Sequence, residues 1–299
     1  MGTQPGPGPI AVGVNGTAAS DAAVRYAVAE ARRAGSSVKL VHVVPDYLPA
    51  TRPFGMSLKD LAPTGRHLLQ EANRTAHEEW PEVRVQAALV AGPWAPAIVH
   101  AAEGAEEIVL GHDPDPSLLR LATGSTVVAV ASHAPVPVIA VAPGPREPSF
   151  GRMTVGIKFV PRSYGLLRLS FEQAAHRGLA LHVVHAWAMP PGYEGLVVSP
   201  QEREEINKTE SMGLDELVQG LAAEFVSVKA SVQVLEGNPA RVLQLASETS
   251  DLLLLSRRRH AFPRGHVGGT ARALLRHSSC PVAIVPTADE PAHLPVAEA

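Results

Sequence analysis

Cysteine, long apolar runs and an excess of charge of either sign are scarce or missing in this chain of 299 residues. Cys280 is the only cysteine, which excludes an internal disulfide and a cysteine-based metal cluster and favours a cytoplasmic setting. No apolar stretch reaches the roughly 18 residues of a transmembrane helix, and Met1–Pro9 has no basic region. We therefore expect neither export nor membrane insertion. The formal net charge of -3 predicts no nucleic-acid or membrane partner, because those surfaces attract basic proteins.

Motifs for common cofactors and catalysts are also missing. Gly13-Val14-Asn15-Gly16 lacks the glycine spacing of a dinucleotide fingerprint, and no phosphate loop with a Gly-Lys-Ser/Thr end occurs. The 13 histidines show no pair at a convincing metal-ligand spacing. No Ser, His and Asp constellation can be tied together from the sequence, so we expect no enzyme. A slow ATPase is the least favoured alternative, with Asp113 and Asp115 as the nearby acids that it would need.

An internal repeat dominates what the chain does contain. Val12-Gly13-Val14 recurs as Val155-Gly156-Ile157, and Val41-His42 recurs at the same offset as Val184-His185. Such a duplicated pattern sets domain boundaries without reference to function.

A proline-rich stretch separates the two copies. Pro143-Gly144-Pro145 and Pro148 can continue neither a helix nor a central strand. The sequence therefore predicts two domains, residues 1–145 and residues 146–299.

Short apolar runs alternate with amphipathic segments of helical length in each copy. The predicted strands of the first copy are Ile10–Val14, Val38–Val44, Val83–Val90, Glu107–Leu110 and Val136–Val141. The predicted helices are Ser20–Ala34, ended by Gly35, then Arg66–Glu79, Pro96–Glu103 and Gly124–His133. This alternation indicates an α/β fold with right-handed crossovers. The predicted architecture is two tandem doubly wound domains, each with a five-stranded parallel sheet.

Two loops of the first copy are the places where such a fold binds ligands. In doubly wound sheets the ligand lies at the carboxyl ends of the strands, where the strand order reverses. The loops are Asn15-Gly16-Thr17, after the first strand, and the segment from Gly111 to Gly124-Ser125-Thr126, after the fourth. Ser125, Thr126 and the free amides of a helix start can donate hydrogen bonds to phosphate oxygens. The same Gly-Ser start also serves as an ordinary helix cap, so both interpretations stay open.

These motifs together resemble the universal stress protein family, over nearly the whole chain. The matching segments are Val12-Gly13-Val14, Leu40-Val41-His42-Val43, Gly111 with Gly124-Ser125, and Ala134-Pro135-Val136-Pro137-Val138. The resemblance implies the adenine nucleotide alpha hydrolase-like fold and a stress-response role. It also implies ATP as a possible cofactor of the first domain. The nucleotide contacts that it implies are Gly13, Asn15, Val43, Gly111, Gly124, Ser125 and Thr126.

The first copy departs from the ATP-binding members of that family at two positions. Those members carry an aspartate after the first strand, and three spaced glycines of which the last precedes a hydroxyl residue. Here Asn15 stands at the aspartate position and Pro114 at the middle glycine. Proline removes an amide donor and fixes φ, and Asn15 can bond a ribose or base but supplies no charge. Weak binding is therefore the expectation for this site.

The second copy departs further. Ser256, Arg259 and Lys158 replace the first two glycines and the aspartate, and only Gly268-Gly269-Thr270 survives, with either Gly268 or Gly269 as the third glycine. Lys158 and the arginines at 257–259 can attract an anion, although surface charge runs are usually just solvated. We expect a degenerate second site in a mainly structural domain.

The alternative to a nucleotide sensor is an interaction or scaffold module without a nucleotide. Apolar edge strands seek partners, and the resemblance implies dimers that use this edge. We therefore predict an intramolecular pseudo-dimer through Val138–Val141 and Val282–Val285. A homodimer of the whole chain is also possible on this interpretation.

Overall fold

The computed structural model describes residues 7–46, 58–113, 126–144, 149–158, 160–189, 199–258 and 267–287. The chain divides into two compact units, Met1–Arg146 and Glu147–Ala299, which we call domain 1 and domain 2. None of the described helices is both long and apolar enough to cross a membrane.

Domain 1 contains a parallel sheet with helices in the crossovers. Its described strands are β1 Ile10–Gly13, β2 Val38–Val44, β3 Val85–Ala91, β4 Glu107–Gly111 and β5 Val138–Val141. Its described helices are α1 Ala18–Ala34, α2 Leu58–Glu79, α3 Trp94–Ala101 and α4 Thr126–His133. The strand order is β3-β2-β1-β4-β5, with every pair parallel. The order therefore reverses between β1 and β4.

Domain 2 repeats this topology. Its described strands are β6 Arg152–Ile157, β7 Ala180–Trp187, β8 Ala230–Glu236, β9 Leu252–Arg258 and β10 Val282–Thr287. Its described helices are α5 Tyr164–Arg177, α6 Pro200–Glu224, α7 Pro239–Ser247 and α8 Gly269–His277, with a 3₁₀ turn at Val160–Arg162. The order is β10-β9-β6-β7-β8, again parallel throughout. The predicted fold class is confirmed.

The core of domain 1 lies on both faces of the central strands. Val12 of β1, Val109 of β4 and Ile139 of β5 are register partners across the sheet, and all three are buried. Burying a side chain of this kind contributes about 1.5–3 kcal/mol. Fully buried central strands explain why the sequence shows continuous apolar runs rather than alternation.

Three helices of domain 1 differ from their predicted bounds, and the first of them, α1, begins two residues early, at Ala18 rather than Ser20. α2 begins at Leu58 rather than Arg66, and it includes Pro63. The apolar spacing continues upstream, because Leu61 lies two turns before Leu68 on the same helical face. Pro63 is exposed. Its ring therefore faces solvent, while the helical face that carries Leu61 and Leu68 packs against the rest of domain 1. α3 begins at Trp94 and ends at Ala101, two residues earlier at each end than predicted.

Candidate functional site

The carboxyl ends of β1, β2 and β4 lie side by side in domain 1, and we call this place the carboxyl edge. Gly13 is the register partner of both Val41 in β2 and Leu110 in β4. The predicted site residues Gly13, Asn15, Val43 and Gly111 are thereby brought to one edge of the sheet. Thr126 is exposed at the first residue of α4. Gly124 and Ser125 lie outside the described residues, as does Pro114.

The turn after β1 is closed by the side chain of Asn15. Its Oδ1 accepts hydrogen bonds from the Thr17 N–H (3.2 Å) and the Thr17 hydroxyl (2.8 Å). Thr17 Oγ1 in turn accepts from the Ser20 N–H (3.2 Å) and caps α1. Since a backbone N–H only donates, the Asn15 atom that faces it is the oxygen. The exposed amide nitrogen of Asn15 therefore remains as a donor at the carboxyl edge.

Gly111 has a packing role that sequence reasoning missed. A Cβ at this position would lie 2.3 Å from the carbonyl carbon of Ala19 and 2.5 Å from the Ser20 nitrogen. Only glycine lets the end of β4 lie this close to the first turn of α1. The same contact places the end of β4 beside the turn that contains Asn15. These two segments together form part of the carboxyl edge.

His42 is a second residue that the search for metal or catalytic patterns passed over. Its Nδ1 lies 2.7 Å from the Val14 carbonyl oxygen. A carbonyl only accepts, so Nδ1 carries the proton and donates. The available signal was the repeat, since Val41-His42 recurs as Val184-His185.

The peptide groups of Val43 face the segment that follows β1. Val44 accepts from the Gly92 N–H (3.0 Å) on the β3 side. Val41 accepts from the Val14 N–H (2.8 Å) on the β1 side. Because this alternation continues along a parallel strand, the N–H and C=O of Val43 point to the β1 side. The Val14–Val41 bond is the last backbone hydrogen bond between these segments in the part of the chain that the structure describes, so Val43 lies beyond the paired region.

The corresponding edge of domain 2 is basic. Lys158 follows β6 and is exposed, and β9 ends with Arg257, which is buried, and Arg258. Gly268 is the N-cap of α8 and makes no side-chain capping bond. α8 ends at His277 as α4 ends at His133, and counting back along both helices matches Gly268 to Gly124.

The chain's single cysteine and its metal-ligating side chains give no sign of a reactive centre among the described residues. Burial raises the pKa of the Cys280 thiol to about 12, so a thiolate is a minor species near neutral pH. Among the described residues no group of three or more His, Cys, Asp or Glu side chains could hold a metal ion.

Comparison with known proteins gives matches along almost the whole chain. The sequence model of the Universal stress protein family matches residues 8–142 and again residues 149–286. A universal stress protein of Mycobacterium tuberculosis is 25% identical over 305 positions, covering 95% of this chain and 96% of that protein. Another from the same organism is 28% identical and covers 92% of this chain and 96% of its own length.

A solved structure also matches over both domains. The crystal structure of a universal stress protein from Archaeoglobus fulgidus is 14% identical, with a TM-score of 0.67. It covers 94% of this chain and 97% of that chain. At this identity the likeness supports the fold alone.

Proposed function

The chain belongs to the universal stress protein family, with one copy of the family domain in each half, and we propose that domain 1 binds an adenine nucleotide weakly at its carboxyl edge. The nucleotide that we propose is ATP. Domain 2, with a degenerate site, serves a structural role in a cytoplasmic stress-response protein. We propose no catalysis for either domain.

The observation that carries this proposal is the position of Val43. Its N–H and C=O point to the same side of β2, beyond the last bond to β1. A donor and an acceptor side by side complement the edge of a 6-aminopurine, which presents a ring nitrogen and an amino group. An oxopurine presents the reverse at the same position, so this contact favours adenine over guanine.

Other groups of the edge suit the sugar and the phosphates. The Asn15 amide nitrogen is an exposed donor one turn before α1 and can reach a ribose oxygen. Thr126 is exposed at the start of α4, where a hydroxyl and backbone amides favour phosphate oxygens.

Two features keep the proposed affinity low. Asp113 is the second residue after β4, and Pro114 and Asp115 come next in the sequence. Two carboxylates beside a triphosphate repel it, and the proline removes one amide donor.

The carboxyl edge of domain 2 carries basic residues where that of domain 1 carries neutral and acidic ones. Lys158 stands at the position of Asn15, and Arg257 and Arg258 end the strand that corresponds to β4. The basic charge by itself would attract phosphate, but Ser256 and Arg259 replace the first two glycines of the motif, and this replacement favours the loss of nucleotide binding there. If domain 1 also binds none, the alternative function is an interaction module.

Isothermal titration of Mg-ATP into the intact protein tests the proposal. We expect saturable heat with one site per chain, lost in Gly124→Asp because a carboxylate there meets the phosphates. Gly268→Asp, the matched change in domain 2, leaves the isotherm unchanged. No heat at millimolar ATP with folded protein would instead support the interaction module.

A further inference from the structure

An exposed tryptophan stands at the start of α3, beside the carboxyl edge. Trp94 is the first residue of this helix, and it is 54% exposed. Ile98 and Ala101, which follow it by four and seven residues, are both buried. At this spacing the three residues lie on one face of the helix. Trp94 therefore belongs to the face that packs on the sheet, yet about half of it is open to solvent.

The direction of α3 explains this exposure. A Cβ on Gly13, at the end of β1, would lie 3.8 Å from Ile98 Cδ1. α3 connects β3 to β4, which run in the same direction, so the helix runs back along the sheet. Its first residue therefore lies about 6 Å nearer the carboxyl edge than Ile98 does. Because helical side chains also lean toward the N-terminus of their helix, the indole of Trp94 projects past the end of β1.

The start of α3 also crosses the end of β2. The Gly92 N–H donates to the carbonyl of Val44 at 3.0 Å, and a Cβ on Gly92 would lie 3.7 Å from the Cβ of Ala97. Helix α3 thus contacts the end of β3 through Ala97 and the end of β1 through Ile98. β2 lies between those two strands. The strand that the start of α3 crosses is therefore the one that carries Val43, the proposed contact of the base.

Domain 2 lacks an aromatic side chain at the corresponding position. Gly237 matches Gly92, since its N–H donates at 2.8 Å to the carbonyl of Trp187 at the end of β7. The two glycines also have similar positive φ angles, 152° and 141°. Two residues after this glycine, domain 2 has Pro239, the first residue of α7, and domain 1 has Trp94. A proline ring offers no aromatic face to a base, which agrees with a base site in domain 1 alone.

We propose that Trp94 stacks on the adenine base in domain 1. The peptide groups of Val43 bond the edge of the base, and the indole lies against one of its two faces. Aromatic side chains stack on the π faces of nucleic-acid bases, and this contact adds affinity that hydrogen bonds at the edge do not supply. The inference rests on the proposed function of domain 1. It adds a binding residue on an element that the predicted set of contacts does not include.

Substitutions at position 94 test the contact by isothermal titration with Mg-ATP. Trp94→Ala removes the aromatic face, and we expect the dissociation constant to rise about tenfold. Trp94→Phe keeps a smaller aromatic face and keeps the constant within about threefold of wild type. Leu245→Ala is the matched control, because it removes an exposed apolar side chain from α7, the corresponding helix of domain 2. It leaves the affinity unchanged, and equal losses in Trp94→Ala and Leu245→Ala overturn the inference.

Tryptophan fluorescence tests the contact without reference to affinity. The other two tryptophans, Trp80 and Trp187, are half-buried, so acrylamide quenches Trp94 most in the free protein. We expect saturating Mg-ATP to shield Trp94 from acrylamide, and we expect this change to be absent in Trp94→Phe.

The two measurements together separate this inference from the proposed function. Saturable heat without shielding of Trp94, or a Trp94→Ala variant that binds ATP as tightly as the wild type, overturns the stacking contact and leaves the nucleotide site in place. No heat and no change of fluorescence at millimolar ATP, with folded protein, overturn both.

Discussion

Gly111 ends β4 directly beneath the first turn of α1. Because backbone atoms of Ala19 and Ser20 occupy the place of a side chain, Gly111→Ala forces the strand and the helix apart. Overpacking of this kind costs about 1–3 kcal/mol, and we expect that loss in the free energy of unfolding by denaturant titration. Gly220→Ala is the control, since Gly220 lies in α6 with open space around it. It should be neutral or stabilising, and an equal loss in both variants would contradict the account.

His182 gives domain 2 a dependence on pH. Burial lowers the pKa of His182 below 6.5, and the charge of Arg152 adds to the effect. The folded state therefore binds this proton less readily than the unfolded state. The contribution to stability is complete above about pH 6.5 and is lost as the pH falls below that value toward the folded pKa.

Removing the imidazole should remove that part of the acid sensitivity. We expect His182→Gln to lose less stability than the wild type between pH 7.5 and pH 5.5, as measured by denaturant titrations at both values. The comparison of slopes cancels the carboxylates that both proteins share. An identical loss in the two proteins would show that His182 titrates normally.

The sequence predicted residue roles that depend on local signals, and it did not predict contacts between distant segments. Gly35 was predicted to end α1, and it does so in the left-handed conformation with φ 64°, because a local signal is enough for a helix cap. The contact of Gly111 with α1 and the bond of His42 to Val14 join elements distant in the sequence. Neither leaves a periodic pattern; the repeat marks His42 in the sequence, but only the structure reveals its partner and the contact of Gly111.

At the scale of elements, the strands were the easiest part to predict. β2 runs from Val38 to Val44 as predicted, since five of its seven residues are valine or leucine and its ends are marked by the change to polar and turn residues. The start of α2 was predicted eight residues too late, at Arg66 instead of Leu58, and the missed part of the helix contains Pro63. An exposed proline inside an amphipathic face did not prevent the helix.

The entry of β6 is anchored by one carboxylate. Asp251, just before β9, accepts from the Phe150 N–H (2.8 Å), the Arg152 N–H (3.1 Å) and the Ser149 hydroxyl (2.9 Å). Glu106 holds the entry of β1 in the same way, accepting from the Gly8 N–H at 3.0 Å. The two domains thus tie their first and fourth strands at the end opposite the candidate site.

Loss of this anchor should destabilise domain 2. We expect Asp251→Ala to lower the free energy of unfolding by about 1–3 kcal/mol, because three donors lose a charged acceptor. Hydrogen exchange should rise in β6 and β9 while β1 and β4 stay unchanged. Glu216→Ala, an exposed change on α6, controls for loss of a negative charge, and faster exchange in β1 as well would contradict a local anchor.

At the scale of the whole molecule, the two copies of the domain share their fold but differ in the residues of their carboxyl edges. Both copies repeat the strand order and the histidine contact. Their carboxyl edges differ in charge, with Asn15 and Asp113 in domain 1 and Lys158 and Arg257 in domain 2. Because the repeat shows the same pattern in both halves, it made the topology of both domains predictable. Ligand preference depends on a few side chains at the carboxyl edge, which the repeat does not determine. Pairing of the domains through Val138–Val141 and Val282–Val285 stays a prediction.

The central claim is a single adenine nucleotide site, in domain 1. Hydrogen exchange measured by mass spectrometry, with and without saturating Mg-ATP, tests it most directly because it reports where the ligand binds. The account predicts slower exchange in segments 13–20 and 41–46, with no change in segments 156–163 and 252–258. Protection confined to domain 2, or no protection in either domain, would contradict it.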